Sequence, residues 1–529
     1  MAHLYLDIKK LNEKQMKIIS FINLLWLLTI YPIAAQQTSY PLDFNSGHYS
    51  IQTFKFGEQE YKVRAFENII YVANPVDTAY QKLNIYVPEA YFDGKEIGHF
   101  NARTAPIFLP NGIGGYMPSA PLTLNNKSKR NIFGQQAPRG EMPSLPISSP
   151  DADTKQGSAI HYALAKGFIV VSPGARGRSL KNQAGVFTGK APAGLVDLKA
   201  AVAYLRYNDA VIPGDKERII SNGTSAGGAM SALLGATGNH PDYKPYLTEI
   251  GAADRPDHIF AVSAYCPITD LDHADCAYEW QFNGVNTYEN LMMDMIEGVK
   301  PEGKAMKALS NAQMLTSAQL KALFPIYLNQ LGLKSGNGTS LILDEQGNGN
   351  FKEFVISFVL ASAQGAIDNG KDLSGISWLT IKDNRAIALD FEDYIQNMKR
   401  MKTPPAFDSF TLDAPENHLF GTVSIPAQHF TEFSYKNSAQ NGTLASPEII
   451  RMMNPLYYIG TPDATTSRFW HIRYGTIDNN TSLATEVILA TYLNNKGYEV
   501  DFALAWDRPH MGDYDLDELF EWIHEIMKD

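Results

Sequence analysis

The chain carries Gly223-Thr224-Ser225-Ala226-Gly227 between the run Arg218-Ile219-Ile220-Ser221-Asn222 and the small-residue stretch Gly228-Ala229-Met230-Ser231-Ala232. A short apolar strand, a glycine-flanked serine and a helix must follow one another with almost no connecting chain. That succession demands a sharp turn that lifts the serine hydroxyl out of the backbone, with glycines where neighbouring chain passes too close for a Cβ. The five-residue pattern is weak by itself, because small residues meet by chance in long proteins. Its value depends on what surrounds it.

The surroundings are strand–helix alternation. Ala105 to Leu109 reads as a buried strand, closed by the glycine-rich Pro110-Asn111-Gly112-Ile113-Gly114-Gly115-Tyr116. Ile160 to Lys166 is helical, Phe168 to Ser172 is a β-branched strand, and Leu195, Leu198, Val202 and Leu205 recur at helical spacing. Ile259 to Tyr265 is another buried strand. Upstream, Thr53–Lys55, Tyr61–Arg64, Ile69–Ala73 and Leu83–Val87 are short β-prone runs between turns. The alternation predicts an α/β protein with a mostly parallel sheet and helices on both faces.

From about Pro267 to Pro455 the pattern changes. Ala318 to Leu333, Glu353 to Ala366 and Asp390 to Met401 look helical, and no buried run of sheet quality occurs, so residues 267–455 are expected to form one insertion. The sheet pattern resumes with a strand at Arg468–Gly475, a helix at Leu483–Leu493, a strand at Val500–Trp506 and an amphipathic helix at Leu516–Met527. Residues 36–266 and 456–529 then make one core, consistent with a length of 529 residues. A polar, proline-rich loop runs from Pro121 to Pro150.

Lys9, Lys10, Lys14 and Lys17 precede an apolar run from Ile18 to Ile33 that ends in Ala34-Ala35. That order predicts an export signal over residues 1–35, with Met16 as an alternative start and an uncleaved membrane anchor as the other reading. A secreted or periplasmic location follows from it. The formal net charge of −11 argues against a nucleic-acid partner. Histidines are scattered, the two cysteines Cys266 and Cys276 make no metal-ligand spacing, and no cofactor is called for. Whether the two thiols pair stays open, as does the oligomeric state.

An activated serine needs a base, and the base needs an orienting carboxylate. Hydrolases with this turn take them in the order Ser, Asp or Glu, His. Asp478 follows the Arg468–Gly475 strand and His510 follows Val500–Trp506, which puts both at the carboxyl edge where Ser225 must sit. Asp463 precedes its strand, Asp501 begins one, and Asp507 is too near His510 in sequence to reach its ring. His471 lies inside a strand and His524 inside the last helix. Ser225, Asp478 and His510 are therefore the catalytic candidates. For an oxyanion, the N–H of Ala226 and that of Gly115, or else Gly114, are the candidate donors.

These residues resemble the bacterial tannases. The likeness rests on Asn222-Gly223-Thr224-Ser225-Ala226-Gly227-Gly228, on Ser263-Ala264-Tyr265-Cys266-Pro267-Ile268 and on Ala277-Tyr278-Glu279-Trp280-Gln281-Phe282-Asn283-Gly284. It continues in Arg400-Met401-Lys402, Pro405-Ala406-Phe407-Asp408, Pro415-Glu416-Asn417 and Pro509-His510. The resemblance implies an α/β-hydrolase fold with a helical lid insertion, and a serine esterase that cleaves galloyl esters through an acyl-enzyme. It implies the triad Ser225, Asp478, His510 and a trihydroxyphenyl pocket using Lys402 and Glu416. Where the family has a second Asp after the triad acid, this chain has Asn480. That departure leaves a carboxylesterase or feruloyl-type esterase acting on other phenolic esters as the alternative enzyme. A serine peptidase lacks a supporting repeat, and a non-catalytic binding protein would be expected to lack a triad member.

Overall fold

The computed structural model describes residues 39–124, 158–288 and 307–528. The expected export signal and most of the proline-rich loop lie outside them. The chain divides into Met1–Tyr40 and Pro41–Asp529, and the second unit holds every element below.

The strands are β1 (Ser50–Phe56), β2 (Gln59–Ile70), β3 (Lys82–Pro88), β4 (Pro106–Pro110), β5 (Ile169–Pro173), β6 (Asp215–Thr224) and β7 (Ala261–Tyr265). Then come β8 (Thr287–Tyr288), β9 (Lys307–Ala308), β10 (Leu379–Lys382), β11 (Arg385–Leu389), β12 (Phe469–Gly475) and β13 (Glu499–Ala505). Nine of them form one sheet in the order β1-β2-β3-β5-β4-β6-β7-β12-β13. The pairs up to β3–β5 are antiparallel, and all those from β5–β4 to β12–β13 are parallel. The run expected at Tyr61–Arg64 and the start of the one expected at Ile69–Ala73 are one strand, which ends at Ile70 and leaves Tyr71, Val72 and Ala73 outside it. A bulge between Phe66 and Ile69, with Asn68 at a φ of 62°, keeps β2 paired across the turn-like residues.

Fully buried parallel strands explain the continuous apolar runs: β4, β5, β7 and β12 have no exposed position. Their side chains alternate between two cores. Ile169 and Val171 pack with helices Ala193–Tyr207, Ala226–Ala236 and Leu483–Asn495 on one face. Val170 packs with Ala159–Ala165 and Leu516–Ile526 on the other. Each such buried Leu, Ile or Val side chain contributes roughly 1.5–3 kcal/mol.

Between β7 and β12 the chain adds no strand to the large sheet among the described residues. It holds helices Leu271–Phe282, Asn311–Leu331, Asn350–Asp368 and Phe391–Met398, and the small antiparallel pairs β8–β9 and β10–β11. Those two short pairs were not legible as strands, being largely exposed and only weakly alternating. Among the described residues no helix is long and apolar enough to cross a membrane.

Candidate active site

Ser225 follows β6 and caps helix Ala226–Ala236 with φ 62° and ψ −125°, a left-handed backbone that a non-glycine residue holds only under constraint. The constraint is visible. Ser225 donates its N–H to the carbonyl of Tyr265 at 2.9 Å. A Cβ on Gly223 would strike the Gly227 carbonyl, and one on Gly227 would sit 2.7 Å from Asn111 Oδ1 and from the Ile113 carbonyl. The turn therefore closes only with glycine at both flanks.

Two loops at the same sheet edge bring the partners. Gly475 at the end of β12 lies where a Cβ would collide with the Arg508 carbonyl. Beyond it, Thr476 N–H donates to the Ala505 carbonyl at 2.9 Å and Ile477 N–H to the Arg508 carbonyl at 3.2 Å. Asp507 N–H donates to Thr476 Oγ1 at 2.8 Å. These bonds stitch the loop after β12 to the loop after β13. Across them His510 Nδ1 lies 2.7 Å from Asp478 Oδ2, and His510 Nε2 lies 2.8 Å from Ser225 Oγ. Asp478 is fully buried and its other oxygen accepts the Asn480 N–H at 2.9 Å. Hydroxyl, imidazole and carboxylate thus form one hydrogen-bonded chain, able to remove a proton from the serine.

The rejected candidates lie elsewhere. His471 is buried in β12 with Nε2 3.4 Å from Asp515, and His524 stacks near His99 with ring centroids 6.1 Å apart. Asp501 pairs with Arg473 at 2.8 Å. Asp463 and Asp507 are exposed.

Gly115 and Ala226 begin the surfaces that could face an oxyanion. Gly115 has a φ of 53° and Tyr116 one of 57°, so the glycine-rich loop makes two left-handed steps in succession. It is held there by Arg178 Nε on the Gly115 carbonyl at 2.8 Å and by the Tyr116 hydroxyl on the Ile268 carbonyl at 2.8 Å. Gly114 accepts from Met117 N–H at 3.0 Å through its carbonyl. The Asn111 side chain donates to the carbonyls of Asn222 and Gly227, both at 3.1 Å, and so locks this loop to the serine turn. Asn111 was not singled out in the sequence. A polar residue ending an apolar strand was the available signal.

Lys402 and Glu416 come from the stretch between β7 and β12. The Lys402 ammonium lies 3.7 Å from the centre of the Phe407 ring. Burial lowers its pKa, opposed first by the charge of Glu416 and then by Asp275 and Asp478. Glu416 is buried and its Oε2 has no hydrogen-bond partner. Burial raises its pKa, while Lys402 and then Arg178 act the other way. Among the described residues no ion pair joins Lys402 to Glu416, so both heads keep bonding capacity for a third group. Asn480 reaches the residue before Lys402, with Nδ2 3.8 Å from Met401 Sδ.

Tyr278, on helix Leu271–Phe282, ties this polar set to the serine machinery. Its hydroxyl accepts the N–H groups of Met401 at 3.1 Å and Lys402 at 3.2 Å, and donates to the Asn479 carbonyl at 3.0 Å. Asp275 on the same helix accepts the N–H groups of Phe407 and Asp408 at 2.8 and 3.0 Å. Burial, and then the charge of Asp408, pushes its carboxyl up to about 7. Neither residue was singled out, because a helix face gives no sign of which distant loop it will carry.

Cys266 and Cys276 are free and buried. Cys266 Sγ, Asp478 and His510 place ligand-type atoms within 4.8 Å of one another, as do Asp270, Asp272 and His273. In both groups these atoms are engaged in hydrogen bonds, Cys266 with the Met511 carbonyl and Asp270 with His273, Tyr327 and Asn454.

A mostly parallel sheet with the serine turn after β6, and the acid and base after β12 and β13, defines the α/β-hydrolase fold in its ester-hydrolase form. Comparisons with known proteins agree. The family model BD-FAE matches residues 149–317. Esterase LipC of Mycobacterium tuberculosis is 43% identical over 58 residues, and this stretch spans 11% of the present chain and 14% of that esterase. The crystal structure of Fusobacterium nucleatum tannase is 45% identical, covers 92% of this chain and 100% of its own, and superposes with a TM-score of 0.82. A tannin acyl hydrolase solved in complex with ethyl gallate is 40% identical over 92% of this chain and 99% of its own, with a TM-score of 0.80. The chain belongs to the bacterial tannase family and is an ester hydrolase.

Proposed function

We propose that the chain is an exported serine esterase that hydrolyses galloyl esters of tannins and simple gallates. The observation that carries the reading is the placing of the half-buried Lys402 and the buried Glu416, which no ion pair joins among the described residues, next to the Ser225–His510–Asp478 hydrogen-bonded chain through Tyr278 and the loop after Asp478. Adjacent phenolic hydroxyls donate and accept at once, and charged partners hold them with bonds roughly twice as strong as neutral ones. A related hydrolase holding ethyl gallate supports the same substrate class.

In this mechanism His510 Nε2 takes the Ser225 proton as Oγ bonds to the ester carbonyl carbon. The N–H groups of Gly115 and Ala226 receive the developing oxyanion. Collapse breaks the bond to the alcohol oxygen, which leaves with the proton from His510. Water then gives a proton to His510 and its hydroxyl to the acyl carbon, and the acid departs as the proton returns to Ser225. Asp478 orients the ring and faces its positive charge throughout. The net change is ester plus water to acid plus alcohol.

Turnover of methyl gallate, with fluorophosphonate labelling that disappears in Ser225→Ala, is the expected result. A labelled chain that hydrolyses methyl ferulate or a short aliphatic ester but not methyl gallate would refute the galloyl assignment. Export is tested by the N-terminus of the mature protein recovered outside the cytoplasm, expected past residue 35.

Asn480 sets the selectivity within phenolic esters. Its amide loses the charge of a carboxylate and gains donors. That difference weakens the hold on one galloyl hydroxyl by about 1 kcal/mol. Asn480→Asp is expected to raise kcat/KM on methyl gallate about fivefold, and to shift the gallate-to-protocatechuate ratio the same way. An unchanged ratio removes the residue from the pocket.

A further inference from the structure

A cavity of about 450 Å³ opens at the same sheet edge and is lined by Trp378, Tyr394, Ile477, Trp506, Asp372 and Asp507, among others. Its floor is aromatic. Trp378 lies 5.9 Å from Trp506 between ring centroids, inclined by 38°, and 4.8 Å from Tyr394. Tyr394 is buried and its hydroxyl is spent on the Thr476 carbonyl at 2.6 Å, so it offers a ring face and no free polar head. Both tryptophans are half-buried, and Ile477 on the rim is 41% exposed. Two carboxylates, Asp372 and Asp507, stand exposed at the mouth. This volume lies in the usual range for small-molecule sites, which are apolar clefts with a few polar groups that set orientation.

The position matters as much as the composition. Ile477 immediately precedes Asp478, and Trp506 and Asp507 belong to the connection that leads from β13 to His510. The bonds joining the two catalytic loops, from Ile477 N–H to the Arg508 carbonyl and from Asp507 N–H to Thr476 Oγ1, also form this wall. None of the groups used in the proposed mechanism lines it.

We propose that this cavity is an accessory aryl subsite, which holds a second polyhydroxyphenyl ring. The proposal rests on the phenolic-ester reading above and adds a site to it. A flat ring stacks on the tryptophan faces in the offset geometry that aromatic pairs favour. Its hydroxyls meet carboxylates at the rim, and a phenolic O–H is a stronger donor than an alcohol O–H, which favours the aryl ring over the sugar of the same substrate. Substrates with several galloyl groups would gain from a second point of attachment.

The test uses the full chain carrying Ser225→Ala, which cannot turn substrate over, with methyl gallate in equilibrium dialysis. Two molecules bound per chain are expected. Adding Trp378→Ala should reduce this to one, and adding Asp372→Asn, an exposed change that leaves the core untouched, should weaken the second event about fivefold. One molecule per chain in Ser225→Ala, or two undiminished events in both double variants, overturns the subsite. Displacement of the second molecule by methyl glucoside at lower concentration than by gallate overturns the aryl assignment. Hydrolysis of methyl gallate by the unmodified chain is measured alongside. Its absence rejects the galloyl reading, whereas its presence with a single bound molecule rejects only the second site.

Discussion

Glu486 is a buried acid joined to the loop that carries Asp478. It is fully buried in helix Leu483–Asn495, its Oε1 accepts from Thr481 Oγ1 at 3.3 Å, and its Oε2 has no partner. Burial, and then the charge of Asp478, raises its pKa well above the ordinary 4.5. Both effects favour the neutral acid over the carboxylate. The folded chain keeps a proton that the unfolded chain releases, so stability falls as pH rises above about 4.5, by at most about 1.4 kcal/mol per unit. Glu486→Gln, which copies the neutral acid, should remove that slope. Its Tm should gain on that of the unmodified chain progressively from pH 5 to pH 8. A constant offset over the range would mean that Glu486 is ionised in the folded state. Nothing in the sequence marks this residue, since a glutamate in the first turn of a helix normally looks solvated and favourable to the helix dipole. Ser225 and His510 were legible for the opposite reason. Their chemistry is tied to the ends of strands, and strand ends can be read from apolar runs.

At the scale of elements, the helix Leu271–Phe282 is the strut between the sheet and the stretch that carries Lys402 and Glu416. Asp275 and Tyr278, three residues apart, share one face, and Glu279 beside them makes a buried ion pair with Arg400. Losing the Tyr278 hydroxyl removes the shared partner of the half-buried Met401 and Lys402 N–H groups and of the Asn479 carbonyl. Tyr278→Phe should therefore cost about 0.5–1.5 kcal/mol in urea unfolding. It should also raise KM for methyl gallate more than it lowers kcat, because Lys402 shifts while the serine chain stays in place. Equal KM values in the two proteins would sever the helix from substrate binding. Element boundaries in the sheet core followed from buried parallel strands with no polar alternation to confuse them. The stretch from Pro267 to Pro455 was legible only as helical runs, because its short strand pairs are exposed and its loops are fixed by contacts from afar. Asp408 illustrates this, accepting from the backbone of Phe430 and Thr431 and from the Asn417 side chain.

For the molecule as a whole, the joint that matters is where the chain leaves the sheet after β7 and where it returns toward β12. One polar cluster closes that joint. Asp270 follows β7, with its backbone at a φ of 54°, and binds the Tyr327 hydroxyl from helix Asn311–Leu331 at 2.5 Å. Asn454, on the returning chain, donates to Asp270 at 2.8 Å and to Asp272 at 2.7 Å, and the Tyr457 hydroxyl donates to Asp272 at 3.0 Å. His273 sits between the two carboxylates, 3.0 Å from Asp270, and stacks on Tyr327 with ring centroids 3.6 Å apart. Burial works to lower its pKa, but Asp270 and then Asp272 outweigh it and bring it up to about 10. The ordinary value is 6.5, so the stabilisation is complete below that pH and is lost as pH rises through about 10. His273→Gln breaks a buried charge cluster, and the expected cost is about 3 kcal/mol at pH 6. The difference in unfolding free energy between the two proteins should shrink steadily toward pH 10, which urea titrations at pH 6, 8 and 9.5 would show. An offset independent of pH would make His273 a neutral packing residue. The cluster lies apart from the residues assigned to chemistry, so methyl gallate turnover at pH 6 and low temperature should survive the substitution while the melting temperature falls. Loss of both together would mean that closing this joint also sets the geometry of the Ser225 pocket.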